Sequence, residues 1–241
     1  MRWAALVLAA VALGGCETTQ EKSAKLEREA ERNGGTAQLA AKAVEVTRPS
    51  AFVKVLSTTL LHASERAAVV VSLVNTSGRA FREVPVQITV KNATGATVYT
   101  NSTPGFARNL VVASSLAAHG QLQWIDDQVE ASGKPTTVSA KVGEGLPVAG
   151  ALPQIAAEGA TLFEEPSGGV GARGTAVNRS GVSQRELVVY VVARRGGAIV
   201  AAGRAVLPSL GAHSSLPFQV FFVGSPHGAK LEASAPATTF G

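Results

Sequence analysis

The chain contains two copies of one pattern, and this repetition constrains its fold more than any other feature. Val74-Asn75-Thr76-Ser77-Gly78 recurs as Val177-Asn178-Arg179-Ser180-Gly181, and Arg82-Glu83-Val84 recurs as Arg185-Glu186-Leu187. Both recurrences have an offset of 103 residues (75 to 178, 83 to 186). Further on, Leu116-Ala117-Ala118-His119 and Trp124 are answered by Leu210-Gly211-Ala212-His213 and Phe218 at an offset of 94 (119 to 213, 124 to 218). Matched order with a constant offset inside each block means two copies of one structural unit.

The unit reads as β. Val84, Val86, Ile88 and Val90 alternate with Pro85, Gln87, Thr89 and Lys91, the period of a half-buried strand. Asn75 to Gly78 reads as a turn between this strand and the preceding run Val69 to Val74. Proline cannot donate to a ladder, so Pro85 predicts an open edge along its strand. Short strands separated by turns, with no helical period, predict a sandwich. Only 5% of residues are aromatic, so the core is expected to be aliphatic. The expected boundaries are sandwich 1 over 50–145, a linker over 146–161 and sandwich 2 over 162–241. A single large sandwich or barrel built from all the strands is the alternative.

The N-terminus carries a different message. Arg2 precedes an apolar run from Trp3 to Leu13, followed by Leu13-Gly14-Gly15-Cys16. That order reads as a secretory signal over 1–15. A run of about 11 residues is too short for the ~20 that cross a bilayer. Residues 16–49 read as a tether, partly helical, with Glu21–Lys25 and Lys25–Glu29 spaced i,i+4 and Asn33-Gly34-Gly35 as the stop.

Leu13-Gly14-Gly15-Cys16 resembles the lipobox of bacterial lipoproteins. The resemblance implies cleavage before Cys16, lipidation of its sulfur, and a membrane-anchored protein of the cell envelope facing the periplasm or exterior. Cys16 is the only cysteine, so its lipidation would leave no thiol for disulfides, sulfur-ligated zinc or cysteine catalysis. The repeated unit resembles small bacterial immunoglobulin-like modules of the FxLYD and CARDB types. In both copies Val-Asn-x-Ser leads to an alternating strand, a turn, and Leu-x-x-His before a Trp or Phe; Val189-Tyr190-Val191 is the nearest match to the Leu-Tyr-Asp run. This resemblance implies two tandem immunoglobulin-like β-sandwiches that serve as interaction modules without catalysis.

Chemistry is sparse. Asp126 and Asp127 are the only aspartates. As strand neighbours they point to opposite faces and do not form one acid/base pair; they are expected where a strand ends. His62, His119, His213 and His227 show no metal-ligand spacing, and His119 and His213 read as turn residues. There is no Gly-x-Ser-x-Gly and no calcium loop. Gly168-Gly169-Val170-Gly171 has no helix after it and reads as a turn. The Asn-x-Ser/Thr sites at Asn75, Asn92, Asn101 and Asn178 read as turn chemistry. The net charge of +5 is spread over scattered arginines, with the Arg194-Arg195 doublet placed in a hairpin turn as a weak pointer to anionic lipid or polysaccharide. No catalytic residue, metal ligand, cofactor or nucleic-acid partner is assigned.

One asymmetry stands out. The drop in offset from 103 to 94 places about nine extra residues between Ala93 and Leu116 of the first copy. Loops on rigid sandwiches often bind, so Phe106 and Arg108 are the candidate interaction residues. The expected function is a non-enzymatic protein-interaction or scaffolding role at the envelope, with an envelope protein as partner. Binding of a polysaccharide, peptide or small molecule is the alternative, and a hydrolase is the least favoured.

Overall fold

A computed structural model describes residues 24–25, 44–63, 66–165 and 169–241. Cys16, Leu13, Gly14, Gly15 and most of the tether lie outside the described residues. The described chain is almost wholly β. The first unit holds β1 (Val53–Ala63), β2 (Arg66–Asn75), β3 (Phe81–Lys91), β4 (Thr97–Thr100), β5 (Val112–Leu116), β6 (Gln121–Val129), β7 (Thr137–Val142) and β8 (Leu146–Pro147). The second holds β9 (Ile155–Glu164), β10 (Val170–Asn178), β11 (Gln184–Arg195), β12 (Ala198–Leu210), β13 (Ser215–Phe221), β14 (Val223–Gly224) and β15 (Lys230–Ser234).

Each unit is a sandwich of two antiparallel sheets. In the first, β1-β2-β6 faces a sheet centred on β3, which pairs with β4, β5, β7 and β8. In the second, β9-β10-β13 faces β14-β12-β11-β15. The two repeat offsets correspond to this plan, with β2 answering β10, β3 answering β11 and β6 answering β13. The nine-residue difference also has a clear form. Where the second unit runs one long strand, β12, the first breaks into β4, a loop with a short 3-10 turn (Arg108–Leu110), and β5. Buried Asn101 bridges the break: its Oδ1 accepts the Ile88 N–H, and its Nδ2 donates to the carbonyls of Val86 and Leu110.

Four expectations need correction. The expected linker over 146–161 is mostly strand: Leu146 pairs with Arg82 in β8, and β9 begins at Ile155. The first sandwich therefore reaches past residue 145, the second begins before residue 162, and only 148–154 joins them. The tether ends earlier than residue 49, since buried Val46 donates to Gln87 Oε1 and Pro49 bridges Gly143. Pro85 does not mark an edge. It lies in a central strand, opposite Val112, between the segments paired with β7 and with β8. There its carbonyl accepts the Gly143 N–H, and the partner ladder is already interrupted, so its missing donor costs nothing. Asp126 and Asp127 lie within β6 and are buried.

The two sandwiches share a seam. β2 and β11 are buried along nearly their whole length, whereas their repeat counterparts β10 and β3 alternate between buried and open positions. Val70 pairs with Ile125 and Ser72 with Gln123 across β2 and β6, which puts these side chains on the face turned away from their own core. Val188, Tyr190, Val192, Ala202 and Val223 of the second unit join the first unit's apolar cluster. Leu187, Val189, Val191 and Ala193 of the same strand pack into the second sandwich. The result is four stacked sheets, with β11 and β12 buried on both faces. Burying one such Val or Ile contributes roughly 1.5–3 kcal/mol.

Within the second sandwich, Gly203 lets β12 approach β13. A Cβ at this position would collide with the Phe221 carbonyl oxygen.

Candidate functional site: the seam and cleft between the sandwiches

The seam is tied by ions as well as by apolar contact. Asp127 on β6 points into it and Arg204 on β12 meets it, with Arg204 Nε 3.0 Å from Asp127 Oδ1. The Arg204 backbone N–H donates to Asp127 Oδ2 at 3.1 Å. Arg204 Nη1 donates to Asn109 Oδ1 at 3.0 Å, and the Asn109 carbonyl accepts Trp124 Nε1. Both ionic side chains are 2% exposed. A pair this deep holds only because backbone and amide groups complete its hydrogen bonds.

Asp126 points the other way, into the first sandwich, as strand alternation requires. Its Oδ2 accepts Tyr99 Oη at 2.6 Å and its Oδ1 accepts the Gln128 N–H at 3.0 Å. Burial pushes its carboxyl up to about 6, against opposing contributions from Tyr99, Gln128 and Arg204. Burial first, and the Asp126 charge second, push the Tyr99 phenol above its ordinary range. Adjacent aspartates thus serve separate structural contacts.

The candidate loop residues part company. Phe106 packs edge-on against Tyr99, with ring centroids 5.8 Å apart. Arg108 meets Glu83 Oε2 on β3 of its own sandwich at 2.8 Å. Asn109, the residue after Arg108, supplies the tie to Arg204. The extra residues of the first copy therefore brace the second sandwich, a role not legible from Phe106 and Arg108 alone.

Beside the seam lies an open cleft with a volume of about 260 Å³. Arg108 and Glu83 stand on the first sandwich, and Arg185 and Glu186 on the second. Val112, Val188 and Tyr190 line its apolar part. The segment after β15 forms another wall through Thr238, Thr239 and Phe240. Fully buried Gln184 holds that segment: its Oε1 accepts the N–H groups of Thr238 and Thr239, and its Nε2 donates to the Thr239 carbonyl.

Glu83 and Glu186 share a further property. Both adopt left-handed backbone, with φ of 54° and 48°, at repeat-equivalent positions on the two walls of the one cleft. For a residue with a Cβ this conformation costs roughly 1–2 kcal/mol. The repeated Arg-Glu at Arg82-Glu83 and Arg185-Glu186 is the sequence signal that marks them. Another signal is the pair of apolar runs Val69 to Val74, interrupted only by Ser72, and Leu187 to Ala193, the near-continuous pattern of strands covered on both faces.

The remaining left-handed residues with a Cβ among the described residues are His119 and His213, with φ of 52° and 50°. They are turn residues, as expected. Each donates its backbone N–H to the preceding turn, to Ser77 and Ser180 carbonyls respectively. Asn75 and Asn178 complete the same device. Asn75 Nδ2 donates to the carbonyls of Arg79 and Ala117, and its Oδ1 accepts from Ser77. Asn178 does the same with Val182, Gly211 and Ser180. Asn92 organises the β3–β4 turn by accepting from Thr94 and Ala96.

The Arg194-Arg195 doublet does lie at a hairpin turn, but both side chains are occupied. Arg194 pairs with Glu232, and Arg195 donates to the Ser225 and His227 carbonyls. Among the described residues, no three of His, Cys, Asp or Glu converge to hold a metal ion, and no helix is long and apolar enough to cross a membrane.

No family model and no curated protein matches the chain. Among solved structures, the crystal structure of Amycolatopsis orientalis exo-chitosanase CsxA is similar over 74% of this chain and 25% of its own, at 14% identity and a TM-score of 0.26. A variant of that enzyme in complex with PNP-beta-D-glucosamine is 15% identical over the same shares, at the same TM-score. The chain thus spans about a quarter of the length of these enzymes.

Proposed function

We propose that the protein is a lipoprotein of the bacterial cell envelope, anchored through lipid on Cys16, that acts without catalysis as a protein-interaction or scaffolding module. The observation that carries this reading is the placement of the ionic chemistry. Asp126, Asp127 and Arg204 are sealed inside and between the sandwiches, where they hold the fold together. Among the described residues, the faces at the two ends of the stack are polar, on a body joined by a sheet-on-sheet seam. Such a body on a tether of about 30 residues reaches well away from a membrane surface.

Cross-linking in intact cells, followed by detergent extraction of the membranes, tests the reading. One or two abundant envelope proteins are expected to cross-link to the sandwiches of the full-length protein. Cys16→Ser is expected to release the protein from the membrane and lose that capture. A membrane-bound protein that captures no specific partner would overturn the scaffolding role. A Cys16→Ser variant that stays membrane-bound would overturn the lipid anchor.

A further inference from the structure

We infer that the cleft between the sandwiches is a binding site for a small zwitterionic peptide, one that carries both a free ammonium and a free carboxylate. This goes beyond the partner role proposed above and stands or falls separately from it.

The argument begins with charge. The cleft presents two cations, Arg108 and Arg185, and two anions, Glu83 and Glu186, one of each sign on either sandwich. A purely anionic ligand would meet a glutamate wherever it met an arginine, and a purely cationic one the reverse. A ligand with both charges, separated by a short backbone, can satisfy both walls at once. Arg185 is exposed, and its guanidinium meets no carboxylate among the described residues. Its backbone is fixed by the segment after β15: its N–H donates to Thr239 Oγ1, and its carbonyl accepts from Thr238 Oγ1. The cation is therefore held in place at its root and free at its tip. Arg108 and Glu83 hold each other at 2.8 Å at the rim, both half-exposed; a ligand bearing both charges can exchange into such a pair without leaving either partner bare.

Shape and strain point the same way. About 260 Å³ is a little less than the ~300–1,000 Å³ of sites for drug-sized ligands, and suits an amino acid or dipeptide. Val112, Val188 and Tyr190 offer an apolar surface for its body. Sites of this kind favour domain junctions, where two rigid bodies supply opposite walls. Left-handed backbone at Glu83 and at Glu186 places a carboxylate on each wall, and strain of this sort concentrates where side chains must be aimed.

The test uses the full-length protein in detergent micelles, with unfolding followed by Trp124 fluorescence. The probes are L-alanyl-L-alanine, its N-acetyl form and its C-terminal amide. At tenfold excess over its Kd, a ligand of the native state should raise the melting temperature by about 3–5 °C. The expected result is a saturable rise with the zwitterion alone. Arg185→Ala and Arg185→Gln should melt like the parent protein and lose the response, and Arg185→Lys should retain part of it. No rise with the zwitterion at up to about 10 mM, an equal rise with either blocked form, or an undiminished rise in both Arg185→Ala and Arg185→Gln would each overturn the inference. The cross-linking result is unaffected by any of these outcomes.

Discussion

At the residue scale, the two aspartates show how one dipeptide can serve two cores. Neighbours on a strand face opposite ways, so Asp126 enters the first sandwich and Asp127 the seam. Their adjacency in sequence disclosed the divergence but not the burial, because burial depends on Tyr99 and Arg204, which approach from other strands. Asp126 also makes stability depend on pH with a definite sign. Its folded value of about 6 lies above the unfolded value of 3.8, so the native chain binds this proton more tightly. The contribution is full below about pH 4 and is lost as pH rises through about 6. Asp126→Asn removes the titrating group. Relative to the parent, this variant should gain stability as pH rises from about 4 to about 7, read from urea midpoints across that range. A stability difference that stays constant with pH would contradict the assignment.

At the element scale, the informative unit is the pair of turns closed by one buried asparagine. Asn75 and Asn178 each bind a carbonyl in the adjacent turn and another in the turn ahead of the next strand, Ala117 or Gly211. The sequence repeats every part of this device, from Asn-x-Ser-Gly to the left-handed His119 and His213, which is why turn chemistry was legible there. Replacing either asparagine with alanine removes two donations to turn carbonyls and the acceptor of the serine N–H, a loss of about 1–3 kcal/mol in total. Asn75→Ala and Asn178→Ala should therefore shift the denaturant midpoint by similar amounts, since the two clamps are alike bond for bond. The break between β4 and β5 was legible only as a length difference. What those residues do, with Asn101 rejoining the ladder and Asn109 bracing Arg204, depends on partners from distant elements.

At the scale of the whole molecule, the two units meet head to tail. The outer face of the first unit's three-stranded sheet covers the outer face of the second unit's four-stranded one, and these faces are not equivalent in the repeat. A contact of this type could propagate. Here the outer faces at either end are polar, with Gln87, Thr89 and Lys91 on β3 and Arg173, Thr175 and Gln219 on β10 and β13, so the stack ends after two units, as capping repeats end a solenoid. The buried seam should make unfolding a single transition: Trp124 fluorescence, reporting the first sandwich, and far-UV circular dichroism should share one midpoint. Arg204→Ala leaves Asp127 buried without its cation and should cost about 3–5 kcal/mol. Separate midpoints in the parent protein would mean that the sandwiches fold independently. Strand periodicity, the repeat, the turns and the sandwich class are legible along the chain, because each depends on local backbone preference and on one apolar face per strand. The docking of the sandwiches, the central place of Pro85 and the cleft that joins Glu83, Arg108, Arg185 and Glu186 emerge only in the folded chain. Those outcomes depend on which second face each sheet covers and on charges brought together from strands far apart in the chain.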